Sequence, residues 1–147
     1  MSYYTVSILW FQNQDRTSLN DYHWSLLLVP VSDIRLQDSR KGTKYDIFHA
    51  GNDQWTRSYT SNFCTGENAA DIGGLVCLGN AVAEEFMEIM QETPFPQRGE
   101  NCQSWVRKVV QQAIEQRVFY ADSTSLREML GAVPIRPSST QSHCCCC

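Results

Sequence analysis

The sequence predicts a single α+β domain, a mostly antiparallel sheet with helices packed on it. β-Branched and aromatic runs crowd the first half of the chain, and segments with helical spacing crowd the second. Strands followed by helices, rather than alternating with them, argue for antiparallel α+β layering. At 147 residues and 42% hydrophobic, the chain can also bury one core without staples. The globular domain is expected over residues 1–133, with a Pro/Ser/Thr-rich tail over 134–147.

The first strand is predicted over Tyr3–Phe11, and the polar stretch Gln12–Asp21 follows as a loop. Tyr22–Pro30 is nearly all apolar, which suits a central strand. Its alternation sets His23 with Ser25 and Leu27, opposite Trp24 and Leu26. The charged stretch Ser32–Gly42 ends in Lys41-Gly42, a turn signal. A third strand over Lys44–Ala50 puts Asp46 and Phe48 on one face and Tyr45, Ile47 and His49 on the other. Gly51-Asn52 turns the chain into a weaker strand, Gln54–Ser61. Small, polar residues run from Phe63 to Asp71, before an apolar run, Ile72–Leu78, read as a strand.

Asn80 is the expected cap of a helix over Ala81–Glu92, with Val82, Phe86, Ile89 and Met90 on its apolar face. The breaker run Thr93–Gly99 precedes the stretch that matters most chemically. Asn101 is a good N-cap, and apolar residues at 105, 106, 109, 110, 113 and 114 predict a helix over Cys102–Gln116. Ser123 or Thr124 caps a last helix ending at Gly131.

Net charge is −4 with no basic face, so nucleic-acid binding has no electrostatic footprint. No apolar run approaches the roughly 20 residues of a membrane-spanning helix. Met1–Phe11 lacks the basic start and small-residue cleavage site of a signal peptide. Cys64, Cys77 and Cys102 show no framework spacing, which argues for a reducing, cytoplasmic setting. Gly73-Gly74 with Gly79 fits no phosphate-binding fingerprint, and Cys64 and Cys77 lack the paired spacing of a zinc site. No metal or organic cofactor is expected.

Cys102 opens its helix, where outward backbone N–H groups and the helix dipole favour a thiolate. A nucleophilic cysteine suits that position, and so does an inert buried one. A thiol nucleophile needs an imidazole to take its proton and a third group to hold the ring. His23 is the stronger base candidate. His49 or Asp46 could orient it, and because they face opposite sides of one strand, at most one can do so. The Cys102 backbone N–H and Gln103 are the candidate oxyanion donors.

His23-Trp24, Ile47-Phe48-His49-Ala50-Gly51 and Asn101-Cys102-Gln103 recur in this order in one enzyme group. The chain thus resembles the lecithin:retinol acyltransferase-like branch of the papain-fold enzymes, which are circularly permuted. The resemblance implies a permuted papain-like topology, with Cys102 as nucleophile, His23 as base and His49 as third member. A longer likeness covers most of residues 20–116. Tyr22-His23-Trp24-Ser25-Leu26-Leu27, Thr43-Lys44-Tyr45, Gln54-Trp55 and Asn101–Val106 are similar to a family of small fungal proteins without assigned activity. Its strand histidine falls on Asp46, so the two likenesses favour different third members.

The expected function is therefore acyl hydrolysis or transfer through a Cys102 thioester, on a small-molecule, lipid or peptide amide or ester. The alternative is a catalytically silent papain-like binding module. His143-Cys144-Cys145-Cys146-Cys147 lacks the spacers of a metal site and the aliphatic residues of a CaaX box. Clustered terminal cysteines suit lipidation, which would hold the chain at a membrane surface.

Overall fold

The computed structural model describes residues 3–12, 22–31, 41–51, 54–68 and 72–133. Most of the loops expected over 12–21 and 32–42, residue Asn52 of the expected turn, and the tail with Cys144 to Cys147 lie outside the described residues. Within them the class is α+β: five strands come first and three helices after. The strands are β1 (Tyr3–Gln12), β2 (Tyr22–Pro30), β3 (Lys41–Gly51), β4 (Gln54–Cys64) and β5 (Ile72–Val82). All neighbours pair antiparallel in the order β4-β3-β2-β1-β5. β2 is central, as its two-sided apolar character requires.

Three helices follow: α1 (Ala83–Glu92), α2 (Cys102–Glu115) and α3 (Ser123–Gly131). The main core joins them to one face of the sheet through Val6, Ile8, Trp24, Leu26, Leu28 and Ile47. Phe86, Trp105, Val109 and Leu126 come from the helix side. The opposite face carries a smaller cluster, Leu9, Leu27, Val29 and Phe63. Odd and even positions of β2 thus enter different cores, which explains its unbroken apolar run.

Several boundaries differ from the sequence reading. β3 begins at Lys41, not Lys44, and Lys41-Gly42 lies in the ladder instead of turning the chain. A Cβ at Gly42 would stand 2.2 Å from the Leu28 carbonyl oxygen, so the glycine permits close backbone approach. β5 runs on to Val82 and delays α1 to Ala83. Asn80 is not the helix cap: its side-chain oxygen accepts from Thr5 Oγ1 at 2.9 Å, across the β1–β5 pair. The cap of α3 is Asp122, whose carboxylate accepts from the Ser125 backbone N–H. Asn101 caps α2 as expected, accepting from the N–H groups of Gln103 and Ser104 at 3.0 and 3.2 Å. Ser104 Oγ accepts from the Asn101 N–H and completes a capping box.

Candidate functional site around His23 and Asp46

β2 and β3 are antiparallel neighbours, with Leu26 opposite Tyr45 and Leu27 opposite Lys44. That register brings His23 and Ser25 to Asp46 on the face bearing the smaller core. Asp46 Oδ1 lies 2.8 Å from His23 Nε2 and also accepts from Ser25 Oγ; Oδ2 accepts from the Lys44 ammonium. The Asp46 side chain is 1% exposed. Burial pushes its carboxyl up, but the hydrogen bond and charge of His23, then the charge and hydrogen bond of Lys44, outweigh it. The pKa is thereby held below the ordinary carboxylate value, so Asp46 is an ionised acceptor.

An ionised carboxylate only accepts, so His23 Nε2 must be the donor. The imidazole stacks on Phe48 at 5.4 Å and lies beside Phe11 at 6.0 Å. Its Nδ1 is buried without a hydrogen-bond partner. With Nε2–H fixed by Asp46, a neutral ring presents a lone pair at Nδ1, which is the form of an oriented base. The Lys44 ammonium sits over Phe11 and Phe63, 5.5 and 5.4 Å from their centroids. Ser25 and Lys44 had no part in the expected site. Alternation alone pairs Lys44 with Asp46, two residues on, but finding Ser25 needed the strand register.

Cys102 belongs elsewhere. It is 0% exposed and sits in the main core with Trp24, Leu26 and Trp105, on the helix-covered face. The guanidinium of Arg107, on the second turn of α2, lies 5.3 Å from the Trp24 ring centroid. Trp24 and His23 leave β2 on opposite faces, so the sheet stands between the cysteine and the imidazole. The expected pairing of Cys102 with His23 is not made here. Cys102 is moreover disulfide-bonded, whereas Cys77 is an exposed free thiol. The spacing of Cys64, Cys77 and Cys102 argued for a reducing setting without a disulfide framework; the Cys102 disulfide was not legible there, because pairing follows spatial approach and not sequence pattern.

His49 also lies away from His23. It shares the Tyr45 and Ile47 face, is exposed, and meets Trp55 edge-on at 5.1 Å. Of the two candidate third members, Asp46 is the one bonded to His23. Gln103 is buried, its backbone N–H given to the Asn101 cap. Among the described residues no group of three or more His, Cys, Asp or Glu could hold a metal ion. No helix among them is long and apolar enough to cross a membrane.

Comparison with family models, curated proteins and solved structures finds no match. The site is therefore read from its own chemistry. That chemistry is an imidazole–carboxylate pair braced by a hydroxyl and an ammonium, on the face away from the helix cysteine.

Proposed function

We propose that the chain works by binding, as a module silent in thiol catalysis, with the permuted papain-like order of histidine strand before cysteine helix. The observation that carries this reading is the placement of His23 and Cys102 on opposite faces of the sheet. A Cys–His couple needs hydrogen-bond reach, and strands of one sheet cannot relay a proton through their backbone plane. Reactivity tests it. After reduction, iodoacetamide should label exposed Cys77 well before buried Cys102, and His23→Ala should leave the Cys102 rate unchanged. Rapid labelling of Cys102 that His23→Ala abolishes would sink the proposal.

A second reading is acyl hydrolysis or transfer through a Cys102 thioester on an amide or ester. The capped helix start beneath Cys102 favours it. It needs the sulfur reduced and a base on the helix-covered face, where His49 is the imidazole among the described residues. Loss of Cys102 labelling in His49→Ala, with His23→Ala silent, would support that version.

The tail adds a membrane-surface role. Cys144 to Cys147 are proposed lipid acceptors, two acyl or prenyl chains being enough for stable residence where one is marginal. No basic residue after Arg136 would hold an unmodified tail to anionic lipid. Expressed in a eukaryotic cell, the full chain should fractionate with membranes and a version ending at His143 should not. Equal solubility, with no added lipid in the intact mass, would remove this role.

A further inference from the structure

We propose that the β4 edge pairs antiparallel with β4 of a second copy of this chain, about a two-fold axis at Tyr59. β4 ends the sheet among the described residues, and most of its side chains are exposed. The other edge differs, because Ala81 of β5 is bridged by Phe119 next to α3. Natural edges are usually guarded by lysines, inward charges or proline. Along Gln54–Cys64 the sole charge is Arg57, and there is no proline. Even that charge is drawn back from the edge. Its guanidinium donates to the Gln91 and Thr93 carbonyls at 2.9 and 3.4 Å and lies 4.4 Å from the Phe95 ring centroid.

The strand is also suited to its own copy. Register shifts bound a regular stretch from Trp55 to Thr60, and the positive φ of Asn62 marks its far end. Tyr59, 70% exposed, packs at 6.2 Å on Tyr45 and leaves its outer edge open. A two-fold at Tyr59 sets it against Tyr59 of the partner subunit, and Ser58 against Thr60 of the partner subunit. Arg57 then faces Ser61 of the partner subunit, so no like charges meet. Aromatic pairs and Ser–Thr pairs are favourable across strands, and such an isologous contact closes at two chains.

Sedimentation velocity on the full chain, with reductant to remove disulfide-linked species, tests this. The native chain should show a concentration-dependent dimer, whereas Tyr59→Lys and Tyr59→Glu should each run as monomers with unchanged far-UV spectra. An equimolar mixture of the two variants should regain the dimer mass, since lysine then faces glutamate. A native chain that stays monomeric, a dimer that persists in either variant alone, or a mixture that stays monomeric would overturn the proposal.

Discussion

Asp46→Ala is expected to cost about 3–5 kcal/mol of folding stability, read from urea unfolding, because it strips a buried charge cluster of its one anion. Lys44 and His23 would lose their acceptor while still held beside Phe11, Phe48 and Phe63. That is a large part of the roughly 5–15 kcal/mol that holds a domain folded. His49→Ala, at an exposed position on the other face, should change stability by no more than about 0.5 kcal/mol. The pH dependence follows from the depressed carboxyl. A group whose pKa falls on folding stabilises the fold above its unfolded pKa, here the ordinary carboxylate value of about 4. Its contribution drains away as pH drops through the lower folded value. Native protein should therefore lose more stability on acidification than Asp46→Asn, which has no such group to titrate.

Trp24→Ala should be comparably severe, about 3–5 kcal/mol, through cavity formation. Trp24 is 0% exposed and joins β2 to α2 in the main core, with Arg107 over its ring. Urea unfolding should show the midpoint falling with little change in slope. If the loss matched that of a surface substitution, the contact between β2 and the cysteine helix would be misplaced. A second consequence separates the two faces. Trp24→Ala and Asp46→Ala act on opposite faces of the sheet with no shared hydrogen bond, so their costs should add, whereas Asp46→Ala and Ser25→Ala share one and should not.

Much of this arrangement was legible in the sequence. Period-two alternation sorted His23 from Trp24 and Asp46 from His49 correctly, because neither β2 nor that part of β3 carries a bulge. Asn101 announced the start of α2 through its cap chemistry, with the apolar spacing that follows it. What could not be read was which face of β2 the helices cover. Leu26, Leu27, Leu28 and Val29 are apolar in succession, so no polar face identifies the uncovered side. Placing Cys102 with His23 therefore rested on order in the chain, and order does not select a face. Asn80 misled for a related reason. A good cap residue before an apolar run is also a good cross-strand partner, and the Thr5 hydroxyl across the ladder takes it.

The His23 imidazole belongs to Asp46 and not to Cys102. Long-range proton–nitrogen NMR of the imidazole ring tests it most directly, since it reports which nitrogen carries the proton and what perturbs it. An Nε2–H tautomer is expected, with signals that move in Asp46→Asn and stay in place in Cys102→Ala. Signals that shift in Cys102→Ala, with Asp46→Asn silent, would mean the imidazole faces the cysteine after all.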